Sequence, residues 1–145
     1  MSRFALTARF ALGLFLVVLL ASGVAYAQDP RASLAQKAAL QFLALTDKND
    51  AKASWEAAGK QFQKAITPER WKEALNDLRG PLGPTVGRTL LSTRFTDKFP
   101  GSSATGEYAL LEFRASFAKR TRARETLTVE READGVWRVI GYSIR

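Results

Sequence analysis

Hydrophobic residues recur at helical spacing between residues 32 and 66, which predicts two amphipathic helices. The first is predicted from Ala32 to Thr46 and the second from Ala51 to Ile66, with a polar turn at residues 47–50. The positions expected to be buried are Leu34, Ala38, Phe42 and Leu45 in the first helix and Trp55, Ala58, Phe62 and Ala65 in the second. Each helix therefore needs a hydrophobic surface to pack on.

A third helix is predicted to begin after Thr67 and to end at Gly80-Pro81. Thr67 can cap the free amides, Pro68 suits the first helical position, and Glu69 lies at the positive end of the helix dipole. We expect Gly80 to adopt a left-handed cap, because glycine tolerates that conformation and the following proline cannot continue the helix. The inner face of this helix is predicted to contain Trp71, Leu75 and Leu78.

After residue 87 the hydrophobic period shortens to two, which predicts β-strands. The predicted strands are Thr89 to Thr96, Glu107 to Phe117, Glu125 to Arg131 and Val136 to Ile144. The second alternates most clearly, with one face made of Ala109, Leu111, Phe113, Ala115 and Phe117. Helices followed by antiparallel strands predict an α+β domain, in which the N-terminal helices pack on one face of a curved four-stranded sheet.

The last hairpin has two interpretations, which place opposite sets of side chains toward the core. A two-residue loop at Asp134-Gly135 would place Ile140, Tyr142 and Ile144 of the fourth strand on the same sheet face as the hydrophobic residues of the third strand. A three-residue loop at residues 133–135 with a glycine bulge would put there Trp137 and Val139. The bulged form is favoured because it buries the tryptophan.

The N-terminal segment has the three-part pattern of a cleavable signal peptide. A basic start with Arg3 and Arg9 precedes an apolar run over residues 10–20 and the small-residue tail Ala25-Tyr26-Ala27. We expect a signal peptide over residues 1–27, one domain over residues 28–145, and a periplasmic or secreted location. The apolar run is shorter than the roughly 20 residues of a spanning helix, so membrane contact is expected only transiently, through the signal peptide.

Composition narrows the chemistry of this domain. The chain has no cysteine and no histidine, so we expect no disulfide, no thiolate nucleophile, no metal site and no cofactor. The formal net charge is +8, and loss of Arg3 and Arg9 with the signal peptide would leave +6. An exported basic protein meets lipid headgroups or acidic glycans, and we expect no nucleic-acid partner.

Several short strings, in a fixed order, resemble the bacterial domain of unknown function 4019 family. They include Trp55-Glu56-Ala57-Ala58, Glu69-Arg70-Trp71, Arg79-Gly80-Pro81-Leu82-Gly83, Gly106-Glu107-Tyr108 and the ending from Asp134 to Arg145. The resemblance spans essentially the whole mature chain and implies an exported, mostly periplasmic domain without an assigned activity. The last strand also resembles the terminal strand of cystatin-like and nuclear-transport-factor-2-like (NTF2-like) folds.

Two glutamates are the candidates for chemistry, since Glu107 and Glu125 each begin an otherwise apolar strand face. A buried carboxylate in a pocket can accept a proton, as in isomerases and dehydratases, whereas Arg79 or Arg88 would make it a structural ion pair. The ion pair is favoured, because buried carboxylates are normally paired, and no catalytic residue is assigned. The candidate pocket residues are Arg79, Arg88, Glu107, Tyr108, Glu125 and Tyr142.

A second candidate surface is a basic segment at the predicted turn between the second and third strands. Its cations are Lys119, Arg120, Arg122 and Arg124. Such a cluster can dock on anionic lipid or glycan, or simply be a solvated turn. No aromatic residues are interleaved with it, so stacking on nucleic-acid bases is not supported.

These patterns favour a non-catalytic envelope protein that binds a small molecule or a protein. A homodimer through the second sheet face is one expectation, because either hairpin interpretation leaves apolar residues there, together with Leu110. The alternatives are a pocket enzyme that uses a buried glutamate and a module that binds an anionic envelope surface through the basic segment.

Overall fold

In the computed structural model, residues 29–99 and 101–145 form a layer of helices on one face of a four-stranded antiparallel sheet. The helices are α1 Pro30–Asp47, α2 Ala51–Ala57, α3 Lys60–Ala65 and α4 Pro68–Arg79, followed by a 3₁₀ turn at Gly80–Leu82. The strands are β1 Thr85–Lys98, β2 Thr105–Phe117, β3 Arg120–Arg131 and β4 Trp137–Ile144, in the order β1-β2-β3-β4. The α+β prediction is therefore confirmed.

The predicted signal peptide and its cleavage site lie outside these described residues. Across residues 29–99 and 101–145, none of the helices is long and apolar enough to cross a membrane.

Helix α1 packs on the sheet through a different face from the one predicted. Its buried residues are Ala35, Ala39, Phe42, Leu43 and Thr46, whereas Leu34 is 54% exposed. Two alanines on the contact face allow a closer approach to the sheet than leucine would. The leucine-based prediction was wrong by about one residue of helical phase, and only Phe42 belongs to both sets.

The single helix predicted over residues 51–66 is two short helices separated at Gly59. The Gly59 amide donates a hydrogen bond to the Val139 carbonyl at 2.8 Å, which covers the outer edge of β4. A Cβ atom on Gly59 would lie 2.8 Å from the Ile140 Cγ2 atom, so only glycine fits this approach. The break is therefore fixed by a tertiary contact, and the low helix propensity of glycine was the local signal for it.

Helix α4 begins as predicted and ends differently. The Thr67 side chain accepts a hydrogen bond from the backbone amide of Arg70, and Pro68 is the first helical residue. Gly80 adopts right-handed helical angles with φ of −53° and continues into the 3₁₀ turn, which corrects the expected left-handed cap. The left-handed residue of this connection is Gly83, with φ of 73°.

The register of the last hairpin contains parts of both interpretations. Gly135 has φ of 80° in a three-residue loop, and Trp137 and Val139 face the core, as the favoured bulged form predicts. A β-bulge at Ile140 then shifts the register, so Tyr142 also lies on the inner face. Trp137, Val139 and Tyr142 therefore all face the helices, although a regular strand would place Tyr142 on the opposite face from the other two.

Two of the strands begin four and five residues earlier than predicted. Strand β1 starts at Thr85 rather than Thr89, and β3 starts at Arg120 rather than Glu125. The turn between β2 and β3 contains only residues 118–119. Of the basic segment, Lys119 lies in this turn, whereas Arg120, Arg122 and Arg124 belong to β3 rather than to a loop tip.

Candidate functional site

Glu125 lies at the centre of a buried ion-pair network on the inner face of the sheet. Its side chain is 0% exposed. The Arg88 Nε donates to Glu125 Oε2 at 2.5 Å, the Tyr142 hydroxyl donates to Oε1 at 2.7 Å, and the Arg79 Nη1 lies 3.4 Å from Oε1. Arg88 fits beneath the helices because its neighbour across the sheet is the small Ala115. Both carboxylate oxygens therefore have cationic or hydroxyl donors.

Asp47, the last residue of α1, completes the network. Its Oδ1 accepts from Arg79 Nη2 at 2.7 Å and from the Thr85 hydroxyl at 2.8 Å. Arg88 forms a two-pronged pair with the same carboxylate, with both N···O distances at 3.0 Å. We call Asp47, Arg79, Thr85, Arg88, Glu125 and Tyr142 the ion-pair network. Its two guanidinium and two carboxylate groups balance in charge.

The network shifts the pKa values of Asp47 and Tyr142 in opposite directions. Partial burial on its own would raise the pKa of Asp47, but hydrogen bonds from Arg88 and Arg79 outweigh it and hold that pKa below the usual range. Burial raises the pKa of the Tyr142 phenol, and the adjacent Glu125 carboxylate raises it further. Tyr142 therefore remains a neutral hydrogen-bond donor at neutral pH.

The network joins the two layers rather than offering a reactive group. It connects the C-terminal ends of α1 and α4 to β1, β3 and β4 through side chains alone. The Arg79 guanidinium also lies 4.8 Å above the centre of the Phe117 ring. Among the described residues, no buried side-chain nitrogen or oxygen lacks a hydrogen-bond partner. A general base has to reach the substrate, whereas Glu125 is fully buried and hydrogen-bonded to Arg79, Arg88 and Tyr142.

The structure unites four of the six predicted pocket residues and places the other two elsewhere. Glu107 points to the opposite end of the sheet, where it pairs with Arg131 at 3.1 Å in a half-exposed contact. Tyr108 lies on the outer face, with its ring 5.8 Å from the Phe99 ring. Neither Asp47 nor Thr85 was predicted from the sequence to belong to this site. A carboxylate at the C-terminal end of a helix opposes the dipole, and this was the available signal that Asp47 has a cationic partner.

The outer face of the sheet carries a second cluster, made of arginines on β2 and β3 and of Arg145, which directly follows β4. Arg114 on β2 lies opposite Arg124 on β3, and Arg124 exchanges backbone hydrogen bonds with Arg145 at 2.8 and 2.9 Å. With Arg122, these side chains surround a concavity of about 620 Å³. We call it the basic concavity, lined by Leu91, Arg114, Arg122, Ala123, Arg124 and Arg145.

One carboxylate side chain approaches these arginines. Glu112 Oε1 accepts from Arg124 Nη1 at 2.5 Å, and within residues 29–99 and 101–145 the four arginines form no other ion pair. Of the basic segment predicted from sequence, Arg122 and Arg124 line the concavity, while Lys119 and Arg120 lie outside its lining. Like charges opposite each other on adjacent strands are destabilising, and the pair between Arg124 and Glu112 offsets only part of this repulsion.

The apolar residues that suggested a homodimer lie mostly on the other face. Trp137, Val139 and Tyr142 all pack against the helices, and Ile140 contacts the Gly59 break at the edge of the sheet. Leu110 is the remaining member of that set on the outer face, and it is partly buried. The homodimer itself stays a prediction.

The described residues offer little to a metal ion. They contain no group of three or more acidic, histidine or cysteine side chains arranged to bind one. Both acidic members of the ion-pair network are already occupied by arginines.

Comparison with known proteins places the chain in a family. A family model described as protein of unknown function (DUF4019) matches residues 38–142. The chain belongs to the DUF4019 family. No curated protein and no solved structure matches it at a significant level. The resemblance to this family is thus confirmed, whereas the likeness to cystatin-like and NTF2-like folds stays a prediction.

The family match covers one site of this DUF4019 protein completely and most of the other. The matched range contains the whole ion-pair network, from Asp47 at the end of α1 to Tyr142 in β4. It also contains three of the four arginines of the basic concavity, with Arg145 beyond its end. Because the family description names no activity, the function has to be argued from the two sites themselves.

Proposed function

We propose that this DUF4019 protein is an exported, non-catalytic domain that binds an anionic ligand at the basic concavity. The observation that carries the proposal is the convergence of four arginine side chains on one concavity of about 620 Å³. Of these arginines, Arg124 pairs with the Glu112 carboxylate. Arginine presents several fixed donors and matches phosphate, sulfate and carboxylate groups well.

The cost of this arrangement supports a binding role. Adjacent strands lie about 4.8 Å apart, so Arg114, Arg124 and Arg145 form a row of like charges roughly 10 Å long. Glu112 pairs with Arg124, but Arg114 and Arg145 on either side of it form no ion pair within the described residues, and an anion with more than one charged group would relieve the remaining repulsion. The signal-peptide pattern of residues 1–27 supports the exported location.

The inner site supports a non-catalytic role. Glu125 is held by Arg79, Arg88 and Tyr142, so the carboxylate that a pocket enzyme would use is fully committed to structure. The chain also has no histidine, which is the most common general base near neutral pH.

Retention on immobilised heparin, a sulfated polysaccharide, tests the proposal. We expect the triple variant R114Q/R122Q/R145Q to elute at much lower salt than the natural protein, since each cation near an anionic surface contributes about 1 kcal/mol. The matched control is K64Q/R70Q/K72Q, which removes the same charge from exposed positions on α3 and α4. Equal elution of the two triple variants would show that net charge alone is responsible, and the proposal would be wrong.

A further inference from the structure

The edge strand β1 has two exposed aliphatic side chains, Val86 and Leu91. The pairing of β1 with β2 is interrupted between Thr85 and Gly87 and again between Leu90 and Ser92. The additional residue at the first irregularity is Val86, which is 71% exposed, and at the second it is Leu91, which is 42% exposed. Bulges redirect side chains away from the regular pleat, and here both present aliphatic groups to solvent.

Leu91 is part of the basic concavity itself. It lines the same 620 Å³ space as the four arginines, although a site for a purely ionic ligand has no use for an exposed leucine. An isolated exposed leucine needs no explanation, but one enclosed by guanidinium groups forms a mixed apolar and cationic surface.

Val86 lies at the end of the sheet where the chain passes from β2 to β3. The amides of Ala118 and Lys119 donate to the carbonyls of Pro84 and Leu82, both at 2.9 Å. This contact fixes the turn, with its cation Lys119 and the following Arg120, beside the start of β1. Cations and aliphatic groups therefore share one end of the sheet.

We infer that the anionic partner is the surface of a lipid bilayer that contains anionic headgroups. The inference rests on the proposed function and adds its partner. Basic side chains pair with headgroup phosphates, while neighbouring aliphatic side chains insert among the acyl chains, a combination typical of peripheral membrane binding. An acidic glycan would satisfy the arginines but would gain nothing from Val86 or Leu91.

Vesicle co-sedimentation tests the partner, using protein exported by a bacterial host and recovered from the periplasm. We expect binding to vesicles of phosphatidylglycerol and phosphatidylcholine, about 100-fold weaker binding for R114Q/R122Q/R145Q, and little binding to phosphatidylcholine alone. The variant V86T/L91T keeps every charge and the strand propensity, and it should bind roughly tenfold less tightly. The control L34Q/L40Q removes two comparably exposed leucines from α1 and should bind normally.

The outcomes separate the two proposals. Heparin binding that depends on the arginines, together with unchanged vesicle binding for V86T/L91T, would overturn the bilayer as partner and leave anion binding intact. Heparin binding without any vesicle binding would also overturn the bilayer as partner and leave anion binding intact, and it would favour a glycan. Vesicle and heparin binding that ignore the three arginines would overturn the proposed function itself.

Discussion

Replacing Glu125 by glutamine tests whether the ion-pair network holds the two layers of the domain together. The substitution preserves shape but removes one buried charge, so Arg79 and Arg88 would share only the Asp47 carboxylate. Breaking a buried ion pair by removing one partner costs about 3–5 kcal/mol. Because domains of this size are stable by about 5–15 kcal/mol, the variant should lose a large part of its free energy of unfolding.

Urea unfolding followed by tryptophan fluorescence measures this loss, since Trp71 and Trp137 are buried in the core. The matched control is Glu107→Gln, which breaks a half-exposed pair with Arg131 on the same sheet and should cost less than about 1 kcal/mol. An equal effect of the two substitutions, or a loss below about 1 kcal/mol for Glu125→Gln, would refute the structural role of the network.

A double-mutant cycle sharpens the experiment. In the variant R88Q/E125Q, one positive and one negative group are removed together, which leaves Arg79 paired with Asp47. We expect the double variant to be at least about 1 kcal/mol more stable than the sum of the two single effects predicts. Strict additivity would mean that the contact between Arg88 and Glu125 contributes nothing to folding.

Three further predictions concern Asp47, Gly59 and Tyr142. Because the folded-state pKa of Asp47 is lowered, its charge stabilises the fold above about pH 4, and this stabilisation is lost as the pH falls through the folded pKa. Urea titrations from pH 2 to 7 should therefore show a weaker acid dependence for Asp47→Asn. Gly59→Ala should lower the free energy of unfolding by about 1–3 kcal/mol through its clash with Ile140, while Gly87→Ala, which meets open space, should change it little. Tyr142→Phe removes a hydroxyl that donates to Glu125 and should cost about 1–3 kcal/mol by the same assay.

Local sequence signals predicted the elements of this fold well. The Thr67 cap, the alternation of β2 and the order of helices before strands all correspond to structure, because each depends on residues that are close together in the chain. The same locality explains the failures. The Gly59 amide bonds the Val139 carbonyl next to the bulge at Ile140, so this contact joins residues about 80 positions apart in the sequence.

The candidate sites show the same division. The pairing of Glu125 with Arg79 or Arg88 was an expectation from sequence, because a buried carboxylate needs a cationic partner. Asp47 was missed, since only the packing of α1 on the sheet brings its last residue to those arginines.

The sequence by itself determined the α+β class, the family and the absence of histidine and cysteine chemistry, because composition and short-range periodicity are properties of the chain alone. Only the tertiary structure decided which face of α1 is buried and how Arg114, Arg124 and Arg145 align. Register and helical phase are set by long-range packing, where a shift of one residue changes which side chains meet.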